Sequence, residues 1–417
     1  MAACGLDFGT SNSALGVVRD GATVLAPVEG AATIIPSAIF FDLEPEGRVL
    51  FGEAAIGAYI GQQDGRLMRS LKSILGSPLI DEKTAVGRKR IALTDVVELF
   101  IRHLKNRAEA FLKEEITQVV HGRPVHFVDG DDAADAKAQS VLEAIARRVG
   151  FREVAFLYEP LAAAYHYEET VEREELVLVA DIGGGTSDFS VIRIGPERRA
   201  LPDRRADILA NAGIRIGGTD FDTALSLATV MPLLGLGSQL MGKDLPMPKS
   251  IYFELATWAT INFAYGYKSE REVRALLAEA CEPEKVARLL KVVRRHLGHR
   301  IAFAVEDAKI ALSEERGVSI PLAFLERSVG ADATQMAFAD VIAEKTERLT
   351  RVAAGCIGAA GVAAARIETI FLTGGSSRVP AVRRAISAAA PEARLASGSD
   401  LLSVALGLTR EAQRRFG

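Results

Sequence analysis

Cysteine and long apolar runs are both scarce in this sequence, and each scarcity narrows the class of protein. The 417 residues include three cysteines, at positions 4, 281 and 356, with no metal-ligand spacing. Neither a disulfide framework nor a cysteine zinc site is indicated, and we predict a cytoplasmic protein. The longest run of small apolar residues, 352–365, is too short to span a bilayer of about 30 Å, so no membrane segment is expected.

An excess of charge of either sign is also lacking. The chain has 50 basic and 54 acidic residues and a net charge of −4 at pH 7. This balance does not attract nucleic acid, and we expect none as a partner. The basic stretch 288–300 is interpreted as a helix with a solvated face. A strand predicted within the first few residues leaves no room for a signal peptide, and the length predicts two to four compact units.

The segment 176–194, LVLVADIGGGTSDFSVIRI, carries the clearest functional pattern. An apolar run ends at Asp181, three glycines follow at 183–185, and a second β-branched run begins after Asp188. This order predicts a strand, a tight glycine turn and a second strand. Without Cβ atoms, the backbone N–H groups of the turn can surround an anion. Because aspartates flank the turn, a phosphate bound there needs a cation beside it, and Mg²⁺ is the natural one.

A similar pattern opens the chain. In residues 4–18, CGLDFGTSNSALGVV, Asp7 precedes a turn formed by residues 9–12. Asp-x-Gly-Thr here corresponds to Asp-x-Gly-Gly-Gly-Thr at 181–186. Two hairpins of one design predict two related lobes that face a single ligand.

Other residues stand where α/β proteins commonly bind ligands. Glu159 and Pro160 lie at a predicted strand-to-helix corner. The buried strand 370–373 runs into two glycines, and the N–H groups of the following helix start could face a phosphate or ribose. From the residue pattern alone, Lys72 is interpreted as a solvated lysine.

Two further patterns concern the second half of the chain. Gly217 and Gly218 form a flexible joint, and Asp220 is predicted to cap the helix that follows. The stretch 304–313, AVEDAKIALS, is predicted to be helical. Polar residues at spacings of three and four share one face of this helix, and they are Glu306, Lys309 and Ser313.

Five motifs in this order resemble those of the actin-like ATPase superfamily. Within it, the chain is similar to the nucleotide-binding domain of the DnaK-type seventy-kilodalton heat-shock chaperones, and its layout is closest to the truncated YegD-like branch. The motifs include the two hairpins, the segment LKSILG at 71–76 and Glu159-Pro160. The resemblance covers most of the chain and is weakest at 26–93 and 231–300.

The resemblance implies an α/β fold with duplicated ribonuclease-H-like lobes, inserted subdomains and ATP in the cleft. Lobe I would take residues 1–173, with an inserted subdomain near 26–93 and the C-terminal helix 403–417 packed back on it. Lobe II would take residues 174–402, with an inserted helical subdomain near 223–300.

The resemblance also implies a role for each matching residue. Asp7 and Asp181 would hold Mg²⁺, mainly through waters. Lys72 would act beside the γ-phosphate, and Glu159 would orient the water and the metal shell. The implied catalytic residues are Lys72, Glu159, Asp181 and Thr186. The implied nucleotide-binding residues are Gly9, Thr10, Ser11, Asn12, Gly183, Gly184, Gly185, Thr186, Gly217, Gly218, Glu306, Lys309, Ser313, Gly374, Gly375, Ser376 and Arg378.

The function implied is a slow Mg²⁺-dependent ATPase that signals its nucleotide state, ATP or ADP, to a protein partner or co-chaperone. A separate partner is expected because the sequence stops at 417 without the family's peptide-binding region, and 231–300 is the predicted docking surface. Gln139 stands where the chaperones carry an arginine linked to interdomain signalling. Three alternatives stay open: an actin-like filament protein, a nucleotide-binding scaffold without turnover, and a sugar or acetate kinase of the same superfamily.

Overall fold

The computed structural model describes residues 2–43, 47–61, 63–87, 89–199, 201, 204–242, 245–397 and 402–417. The chain divides into two units. The first unit comprises Met1–Gly217, Arg348–Ser377 and Val382–Gly417, and the second comprises Gly218–Glu347 and Arg378–Ala381. Within the described residues, no helix has the length and apolar character needed to cross a membrane.

The described residues form twenty strands and fourteen α-helices. The strands are β1 (Ala2–Phe8), β2 (Asn12–Arg19), β3 (Ala22–Leu25), β4 (Ile35–Pro36), β5 (Ala38–Asp42), β6 (Val49–Phe51), β7 (Gly65–Arg69), β8 (Lys83–Val86), β9 (Lys89–Ala92), β10 (Ile116–Arg123), β11 (Glu153–Tyr158), β12 (Glu175–Ile182), β13 (Ser187–Ile194), β14 (Ile208–Ile214), β15 (Gln239–Leu240), β16 (Leu245–Pro246), β17 (Gly317–Pro321), β18 (Gly330–Thr334), β19 (Thr369–Thr373) and β20 (Arg394–Ser397). The helices are α1 (Gly52–Ile60), α2 (Leu93–Leu112), α3 (Asp132–Val149), α4 (Glu159–Tyr167), α5 (Pro196–Arg199), α6 (Gly218–Thr229), α7 (Ser250–Ala256), α8 (Tyr267–Glu279), α9 (Pro283–Arg294), α10 (Gly298–Ala311), α11 (Gln335–Val341), α12 (Ala343–Ala359), α13 (Pro380–Ser387) and α14 (Ser403–Phe416).

Two sheets of the first unit repeat one topology. In the first, the order is β11-β10-β1-β2-β3, with β10 parallel and β2 antiparallel to β1. In the second, the order is β14-β13-β12-β19-β20, with β19 parallel and β13 antiparallel to β12. The central strands are buried apolar runs, as expected where helices cover both faces. The predicted α/β fold with a duplicated sheet is therefore confirmed, while the predicted lobe boundary at 173/174 stays a prediction.

Apart from the short strand β4, the segment 26–93 forms small elements beside the first sheet rather than a continuation of it. Strands β6, β5 and β7 make a three-stranded antiparallel sheet, and β8 pairs with β9. The short strand β4 pairs with β2, which ties this segment to the first hairpin.

The second unit consists mostly of helices. Trp258, Ile261 and Ala302 form a small buried cluster there. The basic stretch 288–300 lies on α9 and α10, and its charges are partly matched inside the unit. Arg288 pairs with Glu326 at 2.7 Å and Arg294 with Glu270 at 3.2 Å.

Helix ends depart from the predicted caps at two places. The sequence predicts that Thr94 or Asp95 caps helix α2. The helix begins at Leu93 after Ala92, which offers no side-chain cap, so neither residue caps it. Asp220 lies inside the first turn of α6 rather than before it.

Helix α14 packs against α4 and β1 so closely that no side chain fits between the backbones at two glycines. A Cβ atom on Gly407 would lie 1.8 Å from the carbonyl oxygen of Ala162, and one on Gly5 would lie 2.2 Å from the backbone nitrogen of Thr409. Both contacts are with backbone, which cannot move aside as a side chain can.

We expect Gly407→Ala to destabilise the protein by about 1–3 kcal/mol or more, because the added methyl overpacks a rigid contact. Gly355→Ala is the matched control, since Gly355 lies in α12 with open space around its Cβ position. That change should stabilise the helix by up to about 1 kcal/mol. Urea unfolding of both variants measures the difference, and equal effects would contradict this packing of α14.

Candidate functional site

The two glycine turns meet in the first unit. The first loop, residues 9–12, joins β1 to β2, and the second loop, residues 183–186, joins β12 to β13. A Cβ atom on Gly184 would lie 2.3 Å from Ser11 Oγ, and one on Gly185 would lie 2.8 Å from Thr10 Oγ1. The loops therefore touch only because the second one lacks side chains at these positions.

Hydrogen bonds hold each loop in place. The N–H of Gly183 donates to the carbonyl of Thr186 at 2.9 Å and closes the second turn. Ser376 Oγ donates to the carbonyl of Gly183 at 2.9 Å, so the predicted 374–376 segment braces the second loop. In the first loop, Ser37 Oγ donates to the carbonyl of Gly9 at 2.7 Å.

Two further glycines pack against the second loop. Gly374 has a φ of +78°, and a Cβ there would lie 2.6 Å from Asp181 Oδ1. Gly217 lies so near that its Cβ would be 2.6 Å from the backbone nitrogen of Gly185. Gly217 therefore packs closely against the loop. The sequence had predicted a flexible joint at this position.

Lys72 is buried and paired, so its interpretation as a solvated lysine is wrong. Its Nζ donates to Glu159 Oε1 at 2.5 Å, and each of the two residues is only 6% exposed. Lys72 lies in the 3₁₀ helix Leu71–Ile74, which follows Ser70 with a φ of +59°. A non-glycine residue in the left-handed region is strained, and such residues cluster at functional sites. Glu159 opens α4, with Pro160 in the first turn as predicted.

Several carboxylates surround this ion pair. Burial, followed by the charge of Glu159, raises the pKa of Asp181 to about 8 and that of Asp188 to about 7. The same causes raise the pKa of Asp7 well above its usual value. Asp188 lies opposite Asp181 in the β12–β13 register and accepts the N–H of Val125 at 2.5 Å. Acids thus outnumber the one buried lysine in this part of the unit.

These residues fit a magnesium ion. Carboxylate oxygens are the ligands Mg²⁺ prefers, and a cation would offset both the burial of these charges and their mutual repulsion, which together raise the three pKa values. Among the described residues, no three acidic, histidine or cysteine side chains are grouped closely enough to hold a metal by themselves.

An open pocket lies beside the loops. Its lining includes Thr10, Gly185 and Thr186 from the loops, together with Lys72 and Arg215. The sequence patterns did not single out Arg215. The signal that could have pointed to Arg215 was a basic residue two positions before the Gly217-Gly218 pair.

The second unit holds a separate part of the predicted set. Lys309 in α10 pairs with Asp222 in α6 at 2.7 Å, and its Nζ donates to the carbonyl of Gly218 at 3.4 Å. Burial raises the pKa of Asp222 to about 6, while Lys309 lowers it and Glu306 raises it. The structure therefore brings Gly218, Glu306 and Lys309 together around Asp222. The sequence patterns had predicted no role for Asp222.

The remaining predicted residues occupy less enclosed positions. Helix α10 ends at Ala311, so Ser313 lies just beyond it, and its Oγ donates to the carbonyl of Lys309 at 3.5 Å. Gly375 and Arg378 begin and end a 3₁₀ helix and are exposed. Gln139 accepts a hydrogen bond from Arg123.

Comparison with known proteins gives one family. A family model described as Hsp70 protein matches residues 3–230 and 285–397. The match includes residues 26–93, where the resemblance was expected to be weak. It leaves out residues 231–284, which make up most of the other divergent stretch.

Proposed function

This chain belongs to the Hsp70 family, and from that membership and the two-loop site we propose that it binds Mg²⁺-ATP and hydrolyses it slowly. It has the nucleotide-binding ATPase domain of the actin-like superfamily. The observation that carries the proposal is the meeting of two glycine loops beside a buried Lys72–Glu159 pair. Family members bind ATP and ADP with Mg²⁺ and are ATPases.

Each part of the site has a task in this proposal. The N–H groups of residues 9–12 and 184–186 bind the β- and γ-phosphates, with the hydroxyls of Thr10, Ser11 and Thr186 beside them, while the N–H of Gly183 closes the second turn. Lys72 places positive charge at the γ-phosphate, and Glu159 orients the attacking water while it fixes Lys72. Asp7 and Asp181 hold Mg²⁺ through water, and the ion, when bound, neutralises charge on the phosphates.

The residues of the second unit have a separate task. We assign adenosine contacts to Glu306, Lys309 and Ser313, with Gly218 beside Lys309. Asp222 keeps the Lys309 ammonium in place. In the first unit, Gly374, Gly375 and Ser376 are further proposed nucleotide-binding residues, and in the second unit Arg378 is another.

Calorimetry and phosphate release on the purified full chain test the function. We expect Mg²⁺-dependent binding of both ATP and ADP, with slow release of phosphate from ATP alone. Absence of nucleotide binding would overturn the proposal. Binding without phosphate release would support the scaffold alternative, and release that requires added sugar or acetate would support a kinase. Light scattering that rises with ATP would support a filament.

We further propose that a protein partner reads the nucleotide state through residues 231–284. This stretch lies outside the family match, and it exposes large apolar side chains. Phe253, Phe263 and Tyr267 are 49%, 51% and 82% exposed. Exposed aromatic side chains are typical of protein interfaces.

We expect Phe263→Ser and Tyr267→Ser to weaken capture of a partner that is retained in ATP and lost in ADP, or the reverse. Truncating a buried interface aromatic typically costs 2 kcal/mol or more. Ile310→Ser, at a 59% exposed position outside 231–284, is the control. If capture of a nucleotide-sensitive partner is unchanged in both aromatic variants, the docking surface lies outside these two residues.

A further inference from the structure

The pocket beside the two loops contains a second cation. Arg215 directly follows β14 and lines this pocket together with Lys72, Thr10 and Thr186. All four residues belong to the first unit. Two residues later, Gly217 packs against the backbone of the second loop, so the position of Arg215 is tied to that loop.

Arg215 is held from both ends. Its backbone N–H donates to the two carboxylate oxygens of Asp129 at 2.9 and 3.1 Å. Its side chain donates from Nη1 to the carbonyl of Gly76 at 3.3 Å and from Nη2 to the carbonyl of Ser73 at 3.2 Å. The guanidinium therefore lies against the segment that carries Lys72, in a fixed orientation.

The charge of Arg215 is not neutralised in the way that the charge of Lys72 is. Lys72 is paired with Glu159 at 2.5 Å. In the part of the chain that the structure describes, the guanidinium of Arg215 donates to carbonyl oxygens and forms no ion pair with a carboxylate. Each terminal nitrogen of a guanidinium carries two hydrogens, and the bonds to Gly76 and Ser73 use one from each. A cation with spare donors beside phosphate-binding loops is suited to a phosphate group.

We propose that Arg215 binds the terminal phosphate of ATP and thereby distinguishes ATP from ADP. The inference rests on the proposed nucleotide function. Because ADP lacks the γ-phosphate, an arginine that contacts this group contributes to ATP affinity and leaves ADP affinity almost unchanged. A residue with only a structural role, such as anchoring the 73–76 segment, would affect both nucleotides alike.

The test measures the dissociation constants of Mg²⁺-ATP and Mg²⁺-ADP by calorimetry, for the wild-type full chain and for Arg215→Gln and Arg215→Lys. Arg102→Gln is the matched control, because Arg102 also donates to two backbone carbonyls of the first unit and lies outside the pocket lining. We expect Arg215→Gln to lower the preference for ATP over ADP by about tenfold or more, since a charge-assisted bond to phosphate is lost. Arg215→Lys should keep part of the preference, because it retains the charge and loses the planar fork.

The outcomes separate this inference from the function on which it rests. If the wild type binds neither nucleotide, the proposed function fails, and the role of Arg215 fails with it. If the wild type binds both and Arg215→Gln weakens them equally, or leaves their ratio unchanged, the inference alone is overturned. A selective loss of ATP affinity in Arg215→Gln, absent in Arg102→Gln, supports it.

Discussion

Lys72→Ala is expected to bind Mg²⁺-ATP and to release phosphate more slowly by a factor on the order of 10²–10⁴. Phosphoryl transfer depends on positioning and on stabilising charge in the transition state. Lys72 is buried beside the two loops and is fixed by Glu159 at 2.5 Å, so its charge is already oriented before ATP binds. Single-turnover phosphate release, measured with the nucleotide saturating, isolates this step from binding.

Lys105→Ala is a closely matched control for that variant. Lys105 is also 6% exposed, lies in the same unit and pairs with Glu109 at 2.5 Å, but it does not line the phosphate pocket. Lys72→Ala leaves the buried carboxylate of Glu159 without its lysine, which typically destabilises a protein by about 3–5 kcal/mol, and Lys105→Ala leaves the half-buried carboxylate of Glu109 unpaired. Both should therefore lose stability, and only Lys72→Ala should lose turnover. Similar hydrolysis rates in folded samples of the two variants would remove Lys72 from the catalytic set.

The sequence predicted those parts of the fold that depend on neighbours in the chain. The residue pattern predicts a strand over 153–158, and β11 has these bounds. The predicted C-terminal helix begins at 403, as α14 does, because periodicity and flanking residues determine such elements locally. The two hairpins were predicted for the same reason, since a tight turn needs specific residues at specific positions.

Features that depend on distant pairing were not predicted from the residues alone. The solvated interpretation of Lys72 failed because its partner, Glu159, is 87 positions away in the sequence. Arg215 reaches Ser73 across 142 positions, and the exposed Asp129 accepts the backbone N–H of Arg215 across 86 positions. Only a resemblance to a known family pointed to Lys72, and none pointed to Arg215.

Asp181→Asn is expected to weaken magnesium-dependent nucleotide affinity by about 10- to 100-fold, as is typical when a group that orients metal ligands is lost. Asp181 lies at the end of β12, 7% exposed, among Asp188, Glu159 and Lys72. In the wild type, EDTA should remove most of the affinity for ATP, because the phosphates would then meet uncompensated carboxylates. Calorimetric titration of ATP with Mg²⁺ and with EDTA gives the magnesium contribution for each variant.

The pH dependence of that affinity has a definite sign. The pKa of Asp181 is raised from 3.8 to about 8, so below pH 8 the empty site holds a proton that magnesium must displace. Nucleotide affinity in Mg²⁺ should therefore rise between about pH 6 and pH 8 and then level off. The same shift means that the native state binds more protons than the unfolded chain between these two pKa values. Without nucleotide, the stability of the native state should accordingly fall as the pH rises from 3.8 to about 8.

Glu175→Gln separates a metal role of Asp181 from the loss of any buried carboxylate. Glu175 lies at the opposite end of the same strand, is 8% exposed and accepts a hydrogen bond from Thr369 at 2.9 Å. Its replacement should leave both the magnesium contribution and its pH slope intact. Asp181→Asn should reduce the slope without abolishing it, because Asp188, with a pKa near 7, still titrates in the same range. If Asp181→Asn keeps the full magnesium contribution and the full slope, the metal lies elsewhere, and the raised pKa of Asp181 reflects burial alone.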